Sequence, residues 1–297
     1  MLQILMGAIS LGLLWAIITI GVYITYRILA IADLTVEGSI VMGAAIAAFA
    51  ITNGVNAYLA ILLAFLGGLG AGLITGLLHT KLKIPSLLAG ILTMIALYSI
   101  NLRIMGRANI SLLRVDTAYT VFENLGLNHM SSVIVLGLIF VGSMTGILYW
   151  FFGTEIGCAI RATGDNPQMA RAQGINTNTT IILGLMISNG LVATGGALIA
   201  QSQSFADVQM GIGSIVIGLA SVIIGEVLFG KRNFYVRLLS LVLGAVTYRI
   251  IIAVVLRLGM PANDLKLFTA ITVAVALSLP VFRSYLVPLK KSFKRGE

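Results

Sequence analysis

Charge is the first thing this sequence has little of. Asp, Glu, Lys and Arg make up 10% of its 297 residues, against about 25% in a soluble domain. With 59% hydrophobic residues and a mean hydropathy of +1.04, there is too little polar surface to cover a water-facing globule, and an all-α polytopic membrane protein is what remains. Cysteine is nearly missing: Cys158 stands alone, which excludes an internal disulfide and any cysteine-based metal site. The two histidines, His79 and His129, fall at opposite span ends and make no metal pair. No H-E-x-x-H, no G-x-S-x-G and no pair of intramembrane aspartates is present, so there is no catalytic constellation. The stretch Gly225 to Arg232 nearly matches a phosphate loop. It fails because Arg232 occupies the place of the magnesium-holding hydroxyl and the segment ends a membrane span. The first residues lack the basic start and cleavage site of a signal peptide, so the first span is expected to stay in the membrane.

A span needs roughly 20 apolar residues. That rule places nine, near 4–26, 36–52, 57–79, 84–105, 132–152, 179–201, 211–229, 235–256 and 266–287. The net charge of +9 does not point to nucleic acid, because the basic residues are scattered in short loops between these runs. If the 153–178 loop is cytoplasmic, thirteen of the 19 Lys and Arg lie inside and five outside, with Arg249 within a span. The positive-inside rule then puts the N-terminus outside and the C-terminus in the cytoplasm.

The longest polar island that also reads as a helix is 154–180, TEIGCAIRATGDNPQMARAQGINTNTT. Pro167 can open a short helix capped by Asp165 or Asn166, and Gly174 can end it. Ala159, Ala162, Ala170 and Ala172 are expected to leave a surface that another protein could approach closely, so that a bulky charge at Ala170 would spare folding. An ordinary cytoplasmic loop and a docking helix both fit these residues.

An internal repeat is also legible. Ala32-Asp33 through Gly43 resembles Ala206-Asp207 followed by Gly213 to Gly218, with an offset of 174 rising to 175 after one inserted residue. Leu11-Gly12-Leu13 recurs as Leu183-Gly184-Leu185, Gly70-Ala71 as Gly244-Ala245, and Pro85 matches Pro261. Spans 1–4 and 6–9 would therefore be inverted halves with broken helices, as in many transporters. The single transmembrane domain 1–297 divides into a first repeat (about 1–105), an outer loop (106–131), a linking span (132–152), the polar loop (153–178), a second repeat (about 179–287) and a basic tail (288–297).

Each half carries a polar break at the same point, around Asp33 to Ser39 and around Gln201 to Gln209. Irregular backbone at membrane depth is tolerated only when buried in protein or lining a wet cavity. Asp33, Glu37, Ser39, Asp207 and Ser214 are thus candidates for a translocation path or its gates. Simple capping of the following helices by Asp33 and Asp207 fits equally. Arg249 sits inside an apolar run, with Glu226 its nearest partner by depth. Ser86, Thr93, Tyr98, Ser99 and Asn101 give the fourth span a polar stripe.

Gly157-Cys158-Ala159-Ile160-Arg161-Ala162, Gly164-Asp165-Asn166, Met169-Ala170 and Gly174-Ile175-Asn176 resemble the cytoplasmic signature of a known family. It comprises the permeases of binding-protein-dependent ABC transporters of the branched-chain amino acid and ribose type. Asp33 to Ser39 resembles that family's signature near the second span. The runs AYLAILLAFLGGLGAGLITGLLHTKLKIPSLLAGILTM and YSINLRIMGRANI look like a bacterial subgroup, some members of which are assigned to tryptophan or tyrosine uptake. The resemblance implies a helix between Glu155 and Asn176 that docks on an ATPase, with Glu155, Gly157, Arg161, Ala162, Gly164, Asn166, Ala170 and Gly174 carrying the coupling. It implies ATP-binding subunits that hold the ATP and Mg, leaving no cofactor in this chain, and an extracytoplasmic binding protein. It also implies a second permease copy, a homodimer being expected, and a place in the bacterial cell membrane among its lipids. Glu37 stands where sugar members carry glycine, which favours an amino acid over a sugar or nucleoside. From residues alone, an ion-gradient-driven secondary transporter or channel also stays open.

Overall fold

The computed structural model describes residues 2–230, 232–257, 267–272, 274–275 and 278. The first helix, α1, runs Leu2–Tyr23 and continues as one π-helical turn, Ile24–Ile28. Then come α2 (Thr35–Thr52), α3 (Ala57–Thr80) and α4 (Ser86–Met105). An outer segment holds the short strand β1 (Asn109–Ser111) and the single-turn α5 (Thr120–Asn124). Next are α6 (His129–Gly153), α7 (Glu155–Asp165), α8 (Pro167–Ala172) and α9 (Thr177–Gln203). Strand β2 (Phe205–Asp207), α10 (Ser214–Phe229) and α11 (Phe234–Arg257) complete the described elements.

Among the described residues, seven helices are long and apolar enough to cross a membrane, and α10, at 16 residues, is shorter. These eight fall on the first eight expected spans. The expected ninth, 266–287, lies largely outside the described residues, as do Lys231, Pro261, Lys266 and the basic tail.

The core forms around α9, which packs along α1, α2 and α3. Lipid is as apolar as leucine, so helices in a membrane associate through close packing and polar contacts. Small residues permit that packing here. A side chain at Gly68 or Gly72 of α3 would meet the backbone of Asn189 or Leu185, and one at Gly43 of α2 would meet Ala193. Four alanines of α2, Ala44, Ala45, Ala47 and Ala48, are fully buried. In the second half, α11 lies along α1 and against α10, as α3 lies along α9 and against α2.

At one end of the bundle, the outer segment is laced to the end of α9. Strands β1 and β2 pair antiparallel, with Asn109 opposite Asp207. Ala118 N–H donates to Gln201 Oε1 (2.9 Å), and the Tyr119 hydroxyl donates to Leu198 O (3.0 Å). Burial pushes the Tyr119 phenol well above its usual range. At the opposite end, α7 and α8 lie across the ends of α1, α6 and α9.

Arg249 does not pair with Glu226, which correlates only by depth. Glu226 instead takes a two-pronged ion pair from Arg27 (2.6 and 3.2 Å). The Arg249 guanidinium lies 4.3 Å from the centre of the Trp15 ring, a cation–π contact on a buried aromatic. Depth along a span is readable from sequence, whereas the direction a side chain faces around the helix is not.

Gly68→Val should lower stability by about 1–3 kcal/mol, because the helix partner's backbone cannot move aside. Gly70→Ala, two residues along where nothing lies within reach of an added carbon, should leave it unchanged. Thermal melting of the two purified variants in detergent checks the contrast.

Candidate functional site

Two features stand out as functional: an elbow at one end of the bundle, and a mainly apolar groove that carries a few polar groups.

The elbow is α7 and α8. Thr154 caps α7, its hydroxyl accepting from Gly157 N–H, and Glu155 in the first turn complements the positive helix end. Gly157, Ile160 and Thr163 recur every third residue and form the buried face. Together with Gly164, this face meets several parts of the bundle. Gly157 lies on the backbone of Phe151 and Phe152 at the end of α6. Gly164 lies on the carbonyl of Ile28, at the π-helical end of α1. Thr163 and Thr180 share a hydrogen bond of 2.8 Å that ties α7 to the start of α9.

Asn166, and not Asp165, caps α8, accepting from Gln168 and Met169 N–H (3.1 and 3.0 Å). Gly174, with φ of +82°, turns the chain after α8 in a conformation that glycine adopts freely. Among the eight residues expected to carry coupling, Gly157, Gly164, Asn166 and Gly174 therefore shape the elbow. Glu155 and Ala162 are exposed. Arg161 faces Phe234 of α11, its guanidinium 5.6 Å from the ring centre.

Ala170 departs from expectation. It is 2% exposed and belongs to the inner side of α8, so it offers no surface to a partner, and a bulky charge there would disturb the elbow itself. Met169, its neighbour, is 62% exposed and Ile156 53%. The large outward apolar side chains of the elbow are these two.

The five candidate path residues do not form one cluster. Asp33 is 2% exposed. Its Oδ1 accepts from Thr35 N–H (2.9 Å) and its Oδ2 from Asn189 Nδ2 (2.8 Å). The Ser39 hydroxyl donates to Asn189 Oδ1 (2.6 Å). Thr35 and Thr75 share a further bond (2.7 Å). Asn189 lies near the middle of α9, so the non-helical connection before α2 sits at membrane depth, with Asp33 buried while Ala30 and Ala32 stay exposed. Asp33 is thus a buried cap. Asn189 is the residue that sequence reading missed, although an amide in mid-span is itself a signal of a polar contact.

Asp207 lies at the far end of the bundle in the two-stranded ladder, where its carboxylate accepts from Gln209 N–H and from Asn109 Nδ2. Ser214 is buried at the start of α10. Glu37 is the member that faces open space. It receives Gly213 N–H at 2.9 Å, placing a carboxylate at the N-terminus of α10. It lines a groove of about 440 Å³ between α2, α4 and the segment 208–212. Tyr98, Ser99 and Asn101 of the expected polar stripe line it too. Asn101 donates to Gly38 O (3.1 Å), and its buried Oδ1 has no partner among the described residues. A carboxylate and an unsatisfied amide beside such a groove are costly against lipid, which marks this face as one that meets water, solute or protein.

The fold is that of a multi-pass helical membrane protein. The model of the branched-chain amino acid transport system / permease component family matches residues 4–277, and the chain belongs to that family. A tyrosine transport system permease protein of Clostridioides difficile is 46% identical over 274 residues, covering 92% of this chain and 90% of the relative. An uncharacterised protein of Rickettsia prowazekii is 34% identical, covering 93% of this chain and 98% of its own. An autoinducer 2 import system permease of Yersinia enterocolitica is 28% identical over 72% of this chain. Among solved structures, an inward-facing metal-chelate type ABC transporter matches with a TM-score of 0.51 at 14% identity, over 95% of this chain and 85% of the other. That likeness speaks to the fold. The chain is accordingly a multi-pass permease component of a transport system.

Asp33→Ala should cost about 1–3 kcal/mol, the price of leaving Asn189 and the Thr35 N–H without a partner in the core. Asp33→Asn, which keeps an acceptor, should cost less. Melting temperatures of both variants against wild type, at equal detergent, check this ordering.

Proposed function

We propose that this chain is the membrane-spanning subunit of an ABC importer for an amino acid, driven by a separate ATPase that docks on the α7–α8 elbow. The observation that carries the reading is the elbow's two-sidedness. One side presents Ile156, Ala162 and Met169 outward, while the other grips the ends of α1, α6 and α9. A rigid piece of this kind transmits a push from a partner directly to the core helix. Inverted halves would then rock about a central path, in keeping with the matched packing of α3 on α9 and α11 on α1.

The elbow end also carries Arg27, Lys81, Lys83, Arg161, Arg171, Arg232 and Arg237, which favours the cytoplasm for it by the positive-inside rule. The hairpin end is then external, where a solute-binding protein would deliver its cargo. The groove of Glu37, Tyr98, Ser99 and Asn101 is the best candidate for the path, completed by a second copy of the chain. Glu37 suits the ammonium group of an amino acid, and Tyr98 suits an aromatic side chain. The tyrosine permease relative agrees with an aromatic cargo.

Co-purification of the tagged protein with its ATPase, followed by uptake in proteoliposomes with and without ATP, tests this reading. Met169→Glu should reduce ATP-driven uptake about tenfold or more, by burying an unpaired charge at the docking surface, with no change in melting temperature. Uptake that proceeds without ATP would point to a secondary carrier. Glu37→Gln should weaken uptake while leaving ATPase co-purification intact.

A further inference from the structure

In the groove between α2 and α4, Asn101 is fully buried, and its Nδ2 donates to Gly38 O at 3.1 Å. That bond fixes which way round the amide sits. Turned over, Oδ1 would face the Gly38 carbonyl, two acceptors with no hydrogen between them. The amide therefore keeps its carbonyl oxygen on the other side, where Oδ1 is buried with no hydrogen-bond partner among the described residues. An acceptor left in this way is costly, and a ligand that donates to it recovers the cost.

Gly38 sets this acceptor beside a carboxylate. A side chain at Gly38 would meet Leu97 and the backbone of Met94, so glycine lets α4 lie directly on the start of α2. The residue before it is Glu37, whose Oε1 accepts from Gly213 N–H. No Lys or Arg among the described residues forms an ion pair with Glu37. Tyr98 stands three residues before Asn101, on the same side of α4, and is 53% exposed.

The described lining of the groove holds no Lys, Arg or His. It offers oxygen acceptors and an apolar wall, and no positive charge to receive an anion. A primary ammonium has three N–H donors and can satisfy a carboxylate and an amide oxygen together. A carboxylate brought to the same place would meet Glu37 as a like charge.

We propose that this groove recognises the ammonium end of its cargo alone, held between Glu37 and Asn101 Oδ1 with an aromatic ring against Tyr98, while the cargo's carboxylate has no partner there. This rests on the groove being the path, as proposed above, and it widens the class of ligand from amino acids to aromatic primary amines. Any demand for the carboxylate is then imposed elsewhere in the importer.

Protection from alkylation tests this in the purified full-length chain carrying Cys158→Ser and Ser99→Cys, which puts one thiol on the groove's lining. Reaction with N-ethylmaleimide should be slowed by phenylalanine, and at least as well by 2-phenylethylamine. 3-Phenylpropionate should need about tenfold more, or give no protection. Adding Asn101→Leu, which keeps the bulk and removes the acceptor, should raise the half-protecting concentration of the amine about tenfold and leave that of 3-phenylpropionate unchanged. A loosened helix contact alone would not split the two. Glu37→Gln should act in the same direction without touching the Gly38 contact, and it decides if the Asn101 variant misfolds. Protection by 3-phenylpropionate equal to the amine's overturns the proposal, as does protection by phenylalanine but not by 2-phenylethylamine. So does equal slowing by potassium chloride at the same concentration, which would make this a site for any cation. ATP-driven uptake by the wild-type importer, measured in parallel, separates this claim from the one it rests on. Intact uptake with no protection by either amine sinks the groove assignment and leaves the importer standing. The expected ranking with uptake that ignores ATP sinks the importer and keeps the ammonium preference.

Discussion

Everything in this bundle depends on how the break between α1 and α2 is satisfied. A stretch without helical hydrogen bonds lies at membrane depth, where water is not at hand to bond to it. The Asp33 carboxylate resolves this by bonding forward to the Thr35 N–H and across to Asn189. Asn189 is held in turn by Ser39. The network fixes three helices at one point, and α9, which supplies Asn189, is the helix on which α1, α2 and α3 all pack. The polar contacts set the register, and the small residues of α2 and α3 let the backbones close to it.

That arrangement explains how two distant ends of the molecule belong to one device. The elbow touches α9 at Thr180, and the break touches α9 at Asn189, a little over two turns further along. From there α9 continues to Leu198 and Gln201, which hold the outer segment through Tyr119 and Ala118. A single helix therefore runs from the elbow, past the polar network, to the paired strands. Glu37, in the first turn of α2, accepts from Gly213 at the cap of α10, so α2 and α10 meet at a carboxylate.

Much of this was legible beforehand, and the reasons for the rest are physical. Long apolar runs give spans directly, and eight fell where hydropathy put them. Pro167, Asn166 and Gly174 announced α8 and its end, because each has a backbone preference that acts locally. The helix α7 was not separable from the rest of its polar island. Its buried face is only Gly157, Ile160 and Thr163, too mixed in polarity to stand out, though Thr154 followed by Glu155 is a recognisable start. Ala170 was assigned to the surface since alanine suits either side of a helix, and a six-residue helix is too short to show a period. From the repeat Asp207 is equivalent to Asp33, yet the strand ladder holds Asp207 half-buried at one end of the bundle while Asp33 is buried against Asn189. Matching letters fix position along the chain and leave the surroundings unspecified.

The hairpin carries a consequence for biosynthesis. Strand β1 is complete by Ser111, but its partner β2 begins at Phe205, so nearly a hundred residues must follow before the ladder can close. Non-local pairing of this kind forms late. Throughout that interval the segment between α4 and α6, with its unpaired strand, waits for α9 to cross. The ladder can therefore form only once α9, the core helix that precedes β2, has been made.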